Sequence, residues 1–322
     1  YIYIKEVEIM VEIVIKTTNL KKSYKRGTFA VDGLNLEISG NNITGFLGPN
    51  GAGKSTTIKM MLGLLEPTAG TIEIFGKKMT TDSPRIRKDI GFMPELPKFP
   101  KYLSGLELLE IYGEMAQIPK DALRKQAKEL LEEVGLKNDI NKKIGGYSKG
   151  MQQRLGFAVA FLGAPKLVIM DEPTVGLDPV GMVDIKQLIK QKAKSGITIF
   201  LSSHLLKEAE EICDDVIVIN HGKLVTSGTV SEVISSASKK NILAIEVDKL
   251  NNISGALKQY SFIKNIKIEG NKILLELNTS EDVRSQISKA ITETGAVILR
   301  MDYITESLES AFIELLKNGG NN

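Results

Sequence analysis

The stretch Gly-Pro-Asn-Gly-Ala-Gly-Lys-Ser-Thr at residues 48–56 decides the fold and the chemistry of this 322-residue chain. It meets the spacing G-x-x-x-x-G-K-[ST], with an apolar run before it (43–47) and a helical run after it (55–65). Glycines lack a Cβ, so backbone N–H groups can turn inward around phosphates. The N-terminus of the following helix attracts the same anion. We therefore expect a nucleoside triphosphate here, with Lys54 at its β- and γ-phosphates and the Ser55 hydroxyl on Mg²⁺. The expected phosphate-binding residues are Gly48, Pro49, Asn50, Gly51, Ala52, Gly53, Lys54, Ser55 and Thr56.

A second motif places two carboxylates directly after an apolar strand. Residues 167–170 read Leu-Val-Ile-Met and are followed by Asp171 and Glu172. A continuous apolar run is typical of a central parallel strand that is covered on both faces. Ligands of such sheets bind at the carboxyl ends of the strands. We expect Asp171 to hold Mg²⁺ through water and Glu172 to accept a proton from an attacking water.

Strands alternate with helical segments from about residue 10 to residue 230, which predicts a mostly parallel α/β sheet. Between residues 96 and 165 the pattern is almost entirely helical, and this block is expected to be a subdomain inserted in the sheet domain. The predicted strands are residues 11–16, 34–38, 43–47, 71–75, 90–93, 167–170, 197–202 and 216–220.

The rest of the chain is expected to form separate segments. Residues 1–9 precede Met10 and read as an N-terminal extension, and the polar residues 231–240 read as a linker. Residues 241–322 then follow the order βαββαβ, with a terminal helix. This order predicts a small ferredoxin-like α+β domain.

Bulk properties exclude several classes of protein. Net charge is +3, from 42 basic and 39 acidic residues, so no general attraction to nucleic acid is expected. No run of 18 or more apolar residues predicts a transmembrane helix. The single cysteine, Cys213, excludes an intramolecular disulfide and is expected to be a small core residue.

Further motifs identify a family. Residues 147–154, Tyr-Ser-Lys-Gly-Met-Gln-Gln-Arg, resemble the Leu-Ser-Gly-Gly-Gln-x-Gln-Arg signature of ATP-binding cassette (ABC) proteins. Residues 176–179 resemble the D-loop of these proteins, and residues 202–204 resemble the segment that carries their switch histidine. Tyr24 matches the aromatic residue that stacks on adenine. The chain therefore resembles the ATPase subunit of an ABC transporter, closest to the ABC-2 branch of drug, antibiotic, sodium or polysaccharide exporters.

This resemblance implies a fold and a mechanism. The fold would be a P-loop NTPase cassette with a mostly parallel sheet core, a β subdomain and the inserted helical subdomain. ATP with Mg²⁺ would join two cassettes head to tail, most simply a homodimer. Ser148 and Gly150 of one subunit would cover the γ-phosphate held by the other, because a helix N-terminus attracts anions. His204 would bond the γ-phosphate and orient water, and Asp178 would link the two sites.

The resemblance also implies partners and a location. The cassette would power a separate transmembrane permease from the inner face of the cell membrane, in the cytoplasm. Four apolar residues would form part of the groove that receives a helix of the permease. They are Leu96, Phe99, Tyr102 and Leu103.

Three positions depart from the family pattern. Glu95 stands where a metal-contacting Gln is usual, and a carboxylate there could bind Mg²⁺ more directly or repel the γ-phosphate. Glu at this position is found in the ABC-2 branch. Lys149 replaces the first signature glycine and Met151 replaces the signature glutamine, while Ser148 and Gly150 are intact.

Two other classes of function remain alternatives to a transport ATPase. An ABC-type ATPase acting on nucleic acid or ribosomes usually has two cassettes or long coiled-coil insertions, and this chain shows neither. A regulatory binding module is disfavoured because Glu172 and His204 are both present.

Overall fold

The structure is a computed structural model that describes residues 12–25, 27–237, 241–250, 252–279, 281–303 and 307–319. The predicted extension, residues 1–9, lies outside these residues. The chain forms two compact units that divide after Val230. No helix within the described ranges is long and apolar enough to cross a bilayer.

The first unit contains ten strands and seven helices within the described residues. The strands are β1 Ile13–Lys25, β2 Thr28–Ser39, β3 Ile43–Leu47, β4 Ala69–Ile74, β5 Lys77–Lys78, β6 Ile90–Met93, β7 Leu167–Asp171, β8 Thr198–Ser203, β9 Asp215–Asn220 and β10 Lys223–Thr229. The helices are α1 Lys54–Met61, α2 Pro84–Arg87, α3 Gly105–Met115, α4 Lys120–Glu133, α5 Lys149–Ala160, α6 Pro179–Lys194 and α7 Leu206–Ile212.

The central sheet has the strand order β10-β9-β3-β8-β7-β6. All of its pairs are parallel except the β9–β10 hairpin. Alternate side chains of a strand face opposite sides of a sheet. In β7, Leu167 and Ile169 therefore join one hydrophobic core, whereas Val168 and Met170 join another. The continuous apolar run fills two cores, and this confirms the predicted parallel sheet covered on both faces.

The two cores are covered by different layers. On one side lie helix α1 and an antiparallel sheet of order β2-β1-β4-β5, which together supply most of the remaining side chains of that core. On the other side lies the inserted helical block, α3 to α5, which packs around Leu109, Leu131 and Leu155. The helix α3 begins with a complete capping box between Ser104 and Glu107, the pattern that satisfies two orphan N–H groups at a helix start.

Strand β1 extends further than its sequence indicated. The predicted strand ended at residue 16, whereas β1 runs to Lys25, so Tyr24 lies inside a strand, near its end. Several register shifts interrupt the pairing of β1 with β2, which breaks the simple alternation of apolar residues. Strand β10 was not predicted, because Thr226, Ser227 and Gly228 carry no apolar signal. It forms by pairing with β9.

The second unit is a four-stranded antiparallel sheet with helices. Its elements are α8 Val230–Ala237, β11 Asn241–Val247, α9 Ile253–Leu257, β12 Ile263–Glu269, β13 Lys272–Leu277, α10 Arg284–Glu293, β14 Ile298–Tyr303 and α11 Leu308–Gly319. The strand order β12-β13-β11-β14 is that of a ferredoxin-like split βαβ arrangement. Its own core contains Leu243, Leu275 and Ile287. The predicted ferredoxin-like fold is confirmed.

The predicted linker, residues 231–240, overlaps helix α8. Its apolar residues fall at i, i+3 and i+4, at Val230, Val233 and Ile234, and Val233 is buried. That spacing places them on one helical face. Residues 238–240 lie outside the described ranges.

Candidate functional site

The site lies where three neighbouring strands of the central sheet end. Strand β8 lies between β3 and β7 and pairs with both in parallel. The loop after β3, the carboxylates at the end of β7 and the residues after β8 are therefore adjacent. They enclose a cavity of about 430 Å³. The lining residues are Ala30, Pro49, Asn50, Gly51, Gly53, Lys54, Ser55, Thr56, Glu95, Glu172 and His204.

The loop between β3 and α1 depends on its glycines. Gly53 has φ +106°, and a Cβ there would lie 2.4 Å from the Ala30 carbonyl oxygen. A Cβ at Gly48 would lie 2.6 Å from the Ile219 carbonyl oxygen. Gly53 is the N-cap of α1 and offers no side-chain hydrogen bond to its first turn. The first N–H groups of a helix have no partner inside the helix, so they are available to an anion.

Lys54, Glu172 and His204 form one contact network. The Lys54 Nζ lies 3.6 Å from Glu172 Oε1 and donates to the Gly48 carbonyl at 2.7 Å. The other carboxylate oxygen, Glu172 Oε2, lies 2.7 Å from His204 Nδ1. Lys54 and Glu172 are both buried, whereas the His204 side chain is 43% exposed. The arrangement places a carboxylate, an ammonium group and an imidazole next to one another on the cavity.

The backbone of Glu172 is unusual. Its φ is +50°, in the left-handed region that non-glycine residues rarely adopt. Such conformations cost energy and persist where the surroundings enforce them, often at functional sites. Here Ser202 Oγ accepts from the Glu172 N–H at 3.1 Å and donates to Asp171 Oδ1 at 2.6 Å. Sequence reasoning assigned no role to Ser202, although it opens the Ser-Ser-His string.

The predicted metal ligands are oxygen donors, as Mg²⁺ requires. Ser55 and Glu95 line the cavity, and Asp171 is buried at the end of β7. Mg²⁺ bound with a nucleotide takes only a few protein ligands, because the phosphates and water supply the others. Ser55 and Asp171 therefore fit the ion. The carboxylate of Glu95 is a third oxygen donor on the same cavity.

Tyr24 lies beside the phosphate loop and is 62% exposed. Its hydroxyl is 3.4 Å from Thr56 Oγ1, at the start of α1. The Lys22 Nζ lies 5.8 Å from the centre of its ring and donates to the Glu66 carbonyl at 2.6 Å. An exposed ring next to the loop is able to stack on a flat base.

Ser148, Gly150 and Asp178 do not line the cavity. Ser148 is the N-cap of α5, and its Oγ accepts from the Met151 N–H at 3.2 Å. Gly150 lies in the first turn of that helix. Asp178 is the N-cap of α6 and accepts from the Gly181 N–H at 2.8 Å. Both helices thus begin with a side-chain cap, outside the lining of the cavity in the same chain.

The apolar residues after Glu95 divide into two pairs. Leu96 and Tyr102 are 61% and 75% exposed. Phe99 and Leu103 are partly buried against the core of the helical block. Of these four residues, Leu96 and Tyr102 are the two that are mostly exposed.

Comparison with known sequences gives full-length relatives. A family model described as ABC transporter matches residues 31–175. The bacitracin transport ATP-binding protein BcrA of Bacillus licheniformis is 37% identical over 95% of this chain and 98% of its own length. The daunorubicin/doxorubicin resistance ATP-binding protein DrrA of Streptomyces peucetius is 32% identical over 94% of this chain and 92% of its own length.

Solved structures match the first part of the fold. The cbiO1 subunit of Clostridium perfringens, part of the ABC transporter complex cbiONQ, has a TM-score of 0.64 at 30% identity over 70% of this chain and 91% of that one. The dimeric ATP-binding cassette MJ0796, in a post-hydrolysis state with ADP and phosphate, has a TM-score of 0.62 at 28% identity over 67% of this chain and 98% of that one. The full-length relatives and the cassette fold agree with the motifs, and the chain belongs to the family of ABC transporter ATP-binding proteins.

Proposed function

We propose that this chain binds and hydrolyses ATP to power a separate transmembrane exporter. The observation that carries the proposal is the network of Lys54, Glu172 and His204 on the cavity of the phosphate loop. The relatives BcrA and DrrA are ATP-binding proteins of bacitracin transport and drug resistance. Phosphate release by the purified chain with ATP and Mg²⁺, and its loss in Glu172→Gln, is the direct test.

The phosphate loop and Lys54 hold the β- and γ-phosphates. In the structure, the Lys54 ammonium contacts the Gly48 carbonyl and Glu172. Incoming phosphates offer a stronger partner, since charge-assisted bonds to phosphate oxygens are roughly twice as strong as neutral ones. Lys54 then turns toward the nucleotide and leaves Glu172 Oε1 free to accept a proton from water.

Bound Mg²⁺ would neutralise charge that develops on the phosphates during transfer. Ser55 and Asp171 would hold it, and Ser202 keeps the Asp171 carboxylate in place. Glu172 acts as general base, within reach of a water at the γ-phosphate. His204 contacts the same carboxylate and orients that water against the phosphate.

A second cassette completes each site. The N-terminus of α5, at Ser148 and Gly150, is a built anion site that does not line the cavity of its own chain. A two-fold pair of identical subunits would place each α5 over the nucleotide of the other subunit. We infer a homodimer, with Asp178 near the junction of the two sites.

The permease is a separate protein. The surface of this chain that contacts it includes Leu96 and Tyr102, which are exposed in the segment after Glu95. Exposed apolar side chains in one segment mark interaction sites. We infer that the chain lies in the cytoplasm, on the inner face of the membrane that holds the permease. Nucleic acid is not an expected partner, and the ribosome or nucleic-acid alternative is not favoured by the transport and resistance relatives.

Tyr24→Ala is expected to weaken ATP binding by roughly 1–3 kcal/mol, the usual contribution of base–aromatic stacking. The phosphate contacts stay in place, so phosphate release at saturating ATP should change little. Calorimetry of ATP binding measures the loss. Tyr102→Ala is the matched control, because Tyr102 is an exposed tyrosine that does not line the cavity. Equal ATP affinity for Tyr24→Ala and the unmodified chain would remove Tyr24 from the adenine site.

We also propose that residues 241–322 form an accessory domain. Most of them belong to the compact unit 231–318, and the separate hydrophobic core of that unit is built from residues after 241. A chain that ends after Ser238 should therefore stay folded and bind ATP with unchanged affinity. Thermal unfolding and calorimetry of the shortened chain measure both. Insoluble protein would show that residues 241–322 are needed by the cassette core.

A further inference from the structure

We propose that Gln153 is a positioning residue that connects helix α5 to the catalytic base Glu172 of the same subunit. The proposal rests on the proposed function, in which α5 covers the nucleotide of a second cassette. Through Gln153, nucleotide binding at the site that α5 covers would change the position of Glu172 in the other site.

The first observation is a buried hydrogen bond. Gln153 is 3% exposed, and its Nε2 donates to the Pro173 carbonyl oxygen at 3.1 Å. Pro173 directly follows Glu172. Burying an amide side chain is costly unless it is hydrogen-bonded. The bond joins the inserted helical block to the end of strand β7, 20 residues further along the chain.

The second observation is the strain at Glu172. Its backbone is left-handed, with φ +50°, and hydrogen bonds hold the chain before and after it. On the N-terminal side, the Glu172 N–H is bound by Ser202. On the C-terminal side, Gln153 holds the next carbonyl. Because a strained residue relaxes when a restraint is removed, the direction of the Glu172 carboxylate depends on Gln153.

The third observation is that Gln153 lies on the same helix as the proposed anion site, in the turn that follows it. Ser148 caps the helix and Gln153 follows five residues later, about 7.5 Å along the axis. The neighbouring Arg154 ties the same turn to the Val134 carbonyl at 2.9 Å and to Asp184 of α6 at 2.8 Å. One turn of α5 is therefore bonded to the loop after Glu172, to the end of α4 and to α6. A shift of α5 toward the partner's γ-phosphate is transmitted to Pro173 and thus to Glu172.

Gln152 provides a contrast at the next position. Its Nε2 donates to the Tyr147 carbonyl at 3.3 Å, within the segment that leads into the same helix. It is half-buried, and within the described part of the chain its side chain makes no hydrogen bond to the loop of Glu172. Gln152→Met and Gln153→Met thus make the same chemical change on the same helix, and only the second removes the connection to Glu172.

Mixed dimers test the direction of this coupling. Two differently tagged full-length chains are co-expressed and purified through both tags, with Glu172→Gln in one of them, so that one base works. Gln153→Met is then placed either in the chain with the intact Glu172 or in its partner, whose α5 covers the active nucleotide. We expect kcat to fall about tenfold or more in the first arrangement, with KM for ATP nearly unchanged. The second arrangement should change kcat less than twofold.

Equal losses in the two arrangements, or a larger loss in the second, would overturn the proposal, because Gln153 would then act by shaping the start of α5. Unchanged kcat in both would overturn it as well. Gln152→Met should show no difference between the arrangements. Gln153→Leu also lacks the hydrogen bond but has a different shape. If the lost hydrogen bond is the cause, Gln153→Leu should again lower kcat more in the chain with the intact Glu172 than in its partner. Absence of phosphate release by the unmodified chain would instead contradict the proposed ATPase function.

Amide hydrogen exchange gives a readout that does not depend on ATP hydrolysis. Without nucleotide, the peptide that contains residues 171–178 should exchange faster in Gln153→Met than in Gln152→Met or the unmodified chain. Exchange in a peptide of the second unit, residues 272–277, should be the same in all three. Identical exchange at 171–178 would show that Gln153 does not restrain the loop.

Discussion

Glu172→Gln is expected to lower the rate of phosphate release by roughly 10²–10⁴-fold, the usual contribution of a general base. Glutamine keeps the shape of the side chain but does not accept the proton of the attacking water. The change also removes the charge that lies 3.6 Å from Lys54. Lys54 is then held less firmly away from the phosphates, so ATP affinity should be kept or increased. Steady-state phosphate release and calorimetry measure the two quantities.

A surface carboxylate provides the control for this change. Glu132 at the end of α4 is exposed and pairs with Lys137 on the surface. Glu132→Gln removes the same charge without touching the cavity, and its rate should equal that of the unmodified chain. If Glu172→Gln hydrolysed ATP at the normal rate, Glu172 would not be the base, and the carboxylate of Glu95 on the same cavity would be the next candidate.

Much of the site was predictable because its chemistry lies in short, contiguous stretches. The phosphate loop needs glycines in sequence, and Asp171 and Glu172 need only follow a buried strand. A local pattern of this kind can be recognised in the sequence without knowledge of the fold. The parallel sheet, the helical insertion and the ferredoxin-like unit were likewise readable from the alternation of strands and helices.

The contacts that hold the site together were not predictable, because they join distant parts of the chain. Ser202 reaches Asp171 and Glu172 only because β8 lies beside β7, and no local pattern specifies that order. The left-handed backbone of Glu172 has no sequence signal, since glutamate rarely adopts it. Gln153 was recognised as a part of the signature, but its bond to Pro173 depends on how the helical block packs on the sheet.

The surface next to Glu95 shows the same limit. Leu96, Phe99, Tyr102 and Leu103 are equally apolar in sequence, and all four were expected in the groove for the permease. The structure turns Phe99 and Leu103 toward the helical core and leaves Leu96 and Tyr102 exposed. Hydrophobicity predicts that such residues pack against other apolar groups. Only the tertiary packing decides whether those groups belong to the core of the same chain or to a partner protein.

Ser148→Arg is expected to abolish ATP-dependent dimerisation while the monomer still binds ATP. In the proposed pair, Ser148 of one subunit lies against the γ-phosphate held by the other, and a long side chain there has no space. Nucleotide binds fully only to the closed pair, so ATP shifts the monomer–dimer equilibrium by mass action. The shift should be largest in Glu172→Gln, where hydrolysis does not release the pair. Sedimentation of Glu172→Gln, with and without Ser148→Arg, in the presence and absence of Mg-ATP measures it.

The substitution also removes the N-cap of α5, which costs about 1 kcal/mol of stability. Ser104→Ala separates this effect from the loss of the interface. Ser104 caps α3 in the same helical block, so its removal costs a comparable amount without touching the nucleotide. Ser104→Ala in the Glu172→Gln chain should therefore still dimerise with Mg-ATP. If the Glu172→Gln chain stays monomeric with Mg-ATP at high protein concentration, self-pairing is wrong, and α5 must meet a different cassette or pair only on the permease.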